Sequence, residues 1–354
     1  MSGTIEISAQ NLYQLIKEKL TKAGLKSEYA QTVAEHLVFA DASGVHSHGA
    51  VRVDYYAERI AKGGVNLEPN ITFEKTGPSS GVVNGDNGMG HVVALEALNY
   101  GFDLAKESGI AVVGVKKMSH SGMMGYYARK AAENNLIALS ICQSDPMVVP
   151  FGGTENYFGT NPIAFAAPRK ENGPVVFDMA TTVQAWGKIL DARAKDQEIP
   201  TTWAVDKNGK PTSDPHAVRG LLLIAGPKGY GLMMMVDILA GMLLNLPFGK
   251  HVSSMYSDLT KGRNLGQFYL LIDPQKFTDI NTFTDNIETM VQELHDIPPA
   301  KGFDQVYYPG EINQLNLIKS EQEGISIAEN VYDYLKSDTL HFDQYGGMDA
   351  FAER

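Results

Sequence analysis

A single cysteine, Cys142, is all the 354-residue chain has, so no disulfide can form within it. That fits a reducing compartment, and metal sites built on Cys clusters are excluded. Cys142 ends the apolar run Leu136-Ile137-Ala138-Leu139-Ser140-Ile141, where a structural thiol is expected rather than a nucleophile. Basic charge is also scarce: 30 Lys and Arg stand against 41 Asp and Glu, a formal net charge of -11, with no basic run. A nucleic-acid backbone needs a basic footprint, so no nucleic-acid partner is expected. An anionic metabolite is not excluded, because one local Arg can dominate a closed pocket. Long apolar runs are missing too. The most apolar stretch, residues 232–246, is short for a span and carries Asp237, so it reads as a buried helix with no membrane partner. The first residues lack the charged start and apolar core of a leader, which gives a cytoplasmic expectation.

What is present is an ordinary globular composition, 44% hydrophobic and 20% charged. Ser8 before a helical apolar pattern, with Gly24 after it, predicts a capped helix over 8–23. Further helices are expected over 27–44 and 51–61. From residue 71 the pattern changes to short β-rich runs at 71–74, 81–84, 111–115, 137–141, 163–166 and 175–177, with helices at 92–106 and 124–134. Strands that follow one another without a helix predict a mixed sheet in an α/β core. Helices at 184–194 and 232–246, a strand at 266–273 and helices at 281–294, 313–323 and 325–336 complete the reading. The organisation expected is a helical segment over 1–70, joined in space by helices within 311–341. An α/β core would occupy 71–310, and 342–354 would be a loose tail.

Four segments carry candidate chemistry. In Ser47-His48-Gly49-Ala50-Val51-Arg52, a helix starting near His48 would place His48, Arg52 and Tyr56 on one face, with Ser47 at its cap. Arg52 has the fork that suits a carboxylate. An ordinary capped helix with a structural His is the plain alternative. The His pair 46/48 lacks accompanying acidic or Cys ligands, so no metal is expected. The second segment is Ser119-His120-Ser121, just after a strand, where an imidazole could act as general base or could be structural. The third joins Gln143-Ser144-Asp145-Pro146 with Gly159-Thr160-Asn161-Pro162. Asp145 and Asn161 could orient polar groups of a substrate and Ser144 could touch a cofactor; simple turn formation explains both segments equally well. In the fourth, Gly226-Pro227-Lys228-Gly229-Tyr230-Gly231, glycines and Lys228 could meet a phosphate, or form a plain loop before a helix. No strand–GxGxxG–helix fingerprint occurs, so these rules alone give no dinucleotide site.

At these segments the chain resembles the malate/L-lactate dehydrogenase family, whose dinucleotide-binding fold is not a Rossmann fold. The residues that carry the resemblance are Ser47-His48-Gly49, Arg52, His120, Gly159 to Pro162, Asp178-Met179-Ala180 and the 226–231 segment, in family order. The resemblance implies a largely antiparallel mixed sheet with flanking helices, NAD as cofactor, and at least a homodimer. It also implies oxidation of a small 2-hydroxy acid. His120 would be the acid/base residue, and Ser47, His48, Arg52 and Tyr56 the substrate side. Ser144, Asp178, Met179, Ala180 and Lys228, with Gly310 and Glu311 beside them, would contact the cofactor. The stretches 141–153, 181–188, 252–256 and 305–310 resemble the branch of the family whose substrate carries a ureido group, within ureide (allantoin) nitrogen catabolism. Asp145 would then face the ureido group, an assignment that rests on hydrogen-bond chemistry. A lactate-, malate- or sulfolactate-type enzyme is the alternative within the family, and a non-catalytic sensor is the alternative outside it.

Overall fold

The structure is a computed structural model that describes residues 3–347 and Phe351. The chain opens with β1 (Thr4–Ile7), α1 (Ala9–Lys22), α2 (Ser27–Ala42) and α3 (Val53–Ala61). Ser8 caps α1 by accepting the Asn11 N–H, as the sequence predicts. Leu12, Ile16 and Leu20 recur at helical spacing and are fully buried, each contributing about 1.5–3 kcal/mol through removal from water.

The core follows as β2 (Thr72–Gly77), β3 (Ser80–Gly88), α4 (Gly90–Ser108), β4 (Ile110–Met118), α5 (Met124–Glu133), β5 (Ile137–Cys142), β6 (Ile163–Ala167) and β7 (Val175–Met179). Then come α6 (Trp186–Ala194), the short pair β8 (Ala204–Val205) and β9 (Gly220–Leu221), α7 (Pro227–Ala240), β10 (Leu265–Ile272) and α8 (Ile280–His295). The chain continues through α9 (Glu311–Glu323), β11 (Ile325–Ala328) and α10 (Glu329–Lys336). The main sheet has seven strands in the order β2-β3-β4-β10-β5-β6-β7. Only β3 and β4, bridged by α4, are parallel; every other neighbouring pair is antiparallel. The expected mixed, largely antiparallel α/β core is what forms. Helices α4 and α5 pack on one face and α7 on the other.

Three sequence expectations fail here. Residues 325–336 are not one helix: 325–328 is a strand, because Ile325 and Ile327 alternate and pair with β1, more than 300 residues away. That pairing lays the C-terminal elements on α1 and α2 in one shared core. The 232–246 helix starts and ends earlier than expected and is less buried than its composition suggests. Helix α7 begins at Pro227, and it and the next turn leave Met234, Ile238, Met242 and Leu243 on the surface. Pro227–Leu244 is long and apolar enough for a membrane span, yet Asp237 accepts bonds from Gln143 and the Gly249 amide inside the fold. Residues 342–347 are not loose. Their backbone is bound to α3, and Phe351 packs edge-on against Trp186.

Candidate active site

Strand β10 lies antiparallel to both β4 and β5, so β4 and β5 run parallel and end at the same edge of the sheet. Strand β6 starts at that edge, and β7 returns to it, with Ile163 opposite Met179. His120 follows β4, Ser144 follows β5, Thr160 and Asn161 precede β6, and Asp178, Met179 and Ala180 end β7. Sheet topology thus gathers two of the four sequence segments, together with the 178–180 stretch. The start of α7, with Lys228 in its first turn, is tied to the same edge. The Ile224 amide donates to the Thr181 carbonyl at 3.0 Å, and Asn161 Nδ2 donates to the Met233 carbonyl at 3.1 Å.

The loop that carries His120 is held on both sides. Ser119 Oγ accepts the Gly90 amide at 2.8 Å, and Ser121 Oγ donates to Gln267 at 2.8 Å. The flanking serines are anchors, not small neighbours that clear space for a ligand. Gly90 is required as well, because a Cβ there would lie 2.3–2.5 Å from the Ser119 and His120 backbone. The His120 ring itself is half-open.

The first segment is not a continuous helix from His48. Two 3-10 turns, His46–His48 and Ala50–Arg52, precede α3, and Ser47 makes no cap bond. The cause is Asp41 of α2. Its carboxylate accepts the Ala50 amide at 2.7 Å, pairs with His46 Nδ1 at 3.0 Å and fills the place of a Cβ on Gly49. The side chains converge even so. The His48 and His120 rings lie 5.8 Å apart and nearly parallel, and Ser47 Oγ is 3.0 Å from His48 Nδ1. Arg52 Nε donates to the Ser47 carbonyl at 2.7 Å. Tyr56, buried on α3, places its hydroxyl 2.8 Å from His120 Nδ1.

Burial, then the charge of Arg52, holds His120 well below the ordinary imidazole range; burial and Arg52 likewise hold His48 down to about 3. His120 is therefore neutral. In the tautomer whose Nδ1–H donates to Tyr56, Nε2 keeps its lone pair and can accept a hydroxyl proton. Burial opposes the charge of Arg52, but the Tyr256 and Tyr56 hydroxyls sustain it. Among the described residues no carboxylate pairs with this guanidinium. A half-buried cation without an anion is set up to receive one from outside.

Other candidates are committed elsewhere. Asp145 pairs with the buried Arg263 and accepts the Met255 amide, so its oxygens hold the 253–256 loop and do not stand open to a substrate. Asn161 is fully buried, accepting the Ser144 amide and donating to Met233. Asp178, held up to about 6 by burial, accepts the Gly125 amide at the start of α5, which leaves Met179 and Ala180 as the open part of that segment. Gly310 and Glu311 are not brought to the edge. Gly310 packs where a Cβ would lie 1.9 Å from the Val176 carbonyl, part-way along β7, and Glu311 is bound to His295 at 2.8 Å and the Tyr308 amide. Cys142 is inert, its thiol pushed up to about 12. Tyr256, Arg263 and the buried His91, 6.5 Å from His120, escaped the sequence reading. Tyr256 lies in the 252–256 stretch of the resemblance, but nothing local marks any of the three as a site residue; the fold brings them here.

A dinucleotide fits the edge by one direct observation. Over Gly231, in the first turns of α7, an added Cβ would meet nothing within 4 Å, so this helix start is open, with Lys228 exposed beside it. Ser144 Oγ and Thr160 Oγ1, 3.0 Å apart, offer hydroxyls nearby.

The model of the family described as malate/L-lactate dehydrogenase matches residues 7–336. The chain belongs to that family. It is 54% identical over 349 residues to the Escherichia coli K12 protein named ureidoglycolate dehydrogenase (NAD(+)), covering 99% of this chain and 100% of that one. It is 37% identical over 341 residues to a malate dehydrogenase of Pyrococcus horikoshii, covering 94% of each chain. Among solved structures, sulfolactate dehydrogenase from Methanocaldococcus jannaschii superposes with a TM-score of 0.87 at 34% identity, covering 94% of this chain and 96% of that one.

Two predictions follow from the geometry. Gly90→Ala should leave the protein folded but displace the His120 loop, lowering kcat about tenfold or more, because the clash is with backbone. Wild-type turnover in Gly90→Ala would show that the loop gives way freely. The second concerns acid. His36, His48, His91 and His120 are all lowered by burial, whereas His46 is raised by Asp41. Below the ordinary value of 6.5 the four lowered imidazoles take up protons only in the unfolded chain. His46 and Asp178, the latter held up to about 6 in the fold, act the other way but are fewer, so stability falls as pH falls. The thermal midpoint should drop steadily between about pH 7 and pH 5; a flat profile would mean that the folded site accepts those protons.

Proposed function

We propose that this chain oxidises ureidoglycolate to oxalurate with NAD as hydride acceptor. The observation that carries this is the neutral His120, anchored at Nδ1 by Tyr56, beside an Arg52 that lacks a carboxylate partner among the described residues. The 54% identity to a full-length relative named for this substrate and cofactor supports the choice within the family.

Arg52 holds the substrate carboxylate, and its Nε bond to Ser47 fixes the direction in which the remaining fork points. His48, next to His120, lines the same opening. His120 Nε2 takes the hydroxyl proton as the carbon it leaves becomes a carbonyl. Tyr56 orients His120, a role one step removed from the substrate contact that the sequence suggests. Lys228 and the α7 start hold the pyrophosphate, with Ser144, Met179 and Ala180 around the rest of the cofactor. Bound NAD supplies the hydride acceptor. The ureido group, a neutral donor and acceptor, meets hydrogen-bonding groups other than the committed Asp145. Two copies at least assemble, supported by the apolar surface of α7 at Met234, Ile238 and Met242. A reducing cytoplasmic setting is in keeping with NAD chemistry and a lone, inert thiol.

The direct test is NADH formation with ureidoglycolate set against L-malate, L-lactate and sulfolactate, each with NAD and NADP. Higher kcat/KM for any of the other three acids would reassign the substrate. Arg52→Lys should raise KM for the acid roughly tenfold or more, since Lys keeps the charge and loses the fork. An unchanged KM would place the carboxylate elsewhere. His120→Ala should cut turnover by ~10²–10⁴-fold with NADH affinity retained. In the wild type, the acid limb of kcat/KM should lie below the ordinary imidazole value of 6.5, because burial lowers His120. A folded His120→Ala protein with near-normal turnover would remove this residue from the mechanism.

A further inference from the structure

The family match stops at residue 336, and the chain beyond it returns to the candidate site. Two buried carboxylates of α3 hold it there. Asp54 accepts the Phe342 amide at 3.0 Å and the Gln344 side chain at 2.6 Å. Glu58 accepts the amides of Gln344, Tyr345 and Gly346 at 2.9–3.2 Å. Lys62 pairs with Glu58 at 2.8 Å and with Asp343, which offsets part of the negative charge. Three successive backbone amides on one buried carboxylate fix the course of this segment far better than surface contacts would.

What the bonds position is Tyr345. Its ring stands edge-on to Tyr55 at 5.5 Å and stacks on Tyr256 at 6.0 Å with 21° between the planes. Tyr256 belongs to the loop clamped by Asp145 and Arg263, and it neighbours Arg52. Arg52 is thus approached from one side by the Ser47 carbonyl and from another by an aromatic wall whose outer member lies beyond the residues that the family model matches. Without Tyr345, one face of Tyr256 would be open to solvent. The guanidinium would then lose the fixed surroundings that make its fork selective for a carboxylate.

We propose that residues 342–347 form a substrate-positioning strap, in which Asp54 and Glu58 hold the backbone so that Tyr345 backs Tyr256 against Arg52. The inference rests on the reading of Arg52 as the carboxylate holder. Tyr345 is a positioning residue for an anionic 2-hydroxy acid and has no part in proton or hydride transfer.

The test compares Tyr345→Ala, Tyr345→Phe and Arg52→Lys in the full-length protein, with KM and kcat for the best 2-hydroxy acid substrate, NADH affinity and thermal midpoint all measured. Tyr345→Ala should raise KM about tenfold, change kcat less than about threefold and leave NADH affinity intact. Tyr345→Phe, which keeps the ring, should behave as wild type. Three results would overturn the strap: an unchanged KM in Tyr345→Ala, a fall of kcat and NADH affinity in step with KM, or equal damage from Tyr345→Phe. If Arg52→Lys also leaves KM unchanged, it is the reading of Arg52 that fails. If Arg52→Lys raises KM and Tyr345→Ala does not, the strap alone fails.

Discussion

Strand β10 enters the sheet between β4 and β5, antiparallel to both, and the placement of the chemistry follows from that insertion. Two strands flanking a common antiparallel partner must point the same way, so their following loops emerge at one edge. The loops around His120 and Ser144 are 24 residues apart in sequence and adjacent in space for this reason. Hairpin-like returns through β6 and β7 then add Thr160 and the 178–180 segment without any crossover helix. A purely parallel sheet collects its loops at one edge by uniform direction. Here a largely antiparallel sheet does so by the position of one late strand.

The second constraint is electrostatic. Arg52 favours neutrality in every imidazole near it, and burial acts in the same direction. A protonated His120 would sit beside an uncompensated guanidinium, two like charges in a partly dry site. An arriving carboxylate would pair with Arg52 and weaken that repulsion. Substrate binding would then raise the proton affinity of His120 just as it must accept a proton.

Much of this was legible in the sequence because it is local. The α1 cap at Ser8, the strand cores and the order of the family segments depend on residues close together in the chain. The misreadings have distant causes. Residues 325–328 become a strand because β1 is there to pair with, and the turns at 46–52 form because Asp41 reaches in from α2. Asp145 reads as a recognition group because it follows a strand end; Arg263, 118 residues on, claims it. Gly310 matched a cofactor pattern, whereas its glycine is accounted for by contact with Val176. Helical periodicity placed Arg52 and Tyr56 together correctly, though the helix begins only at Val53.

The tail shows the same limit most clearly. Residues 342–347 have no periodicity of their own, and sequence rules read such a stretch as loose. Their order is supplied by Asp54 and Glu58, whose spacing places two carboxylates on one side of α3 while Arg52 and Tyr56 lie toward the site. One short helix therefore carries the phenol that orients His120 and the two anchors of the tail, with Arg52 as its N-cap. Changes at the anchors must reach Arg52 through the same nine-residue helix. The coupling is short and covalent in part, and its anchors Asp54 and Glu58 are buried. A segment beyond the residues that the family model matches is in this way tied to the helix that Arg52 caps.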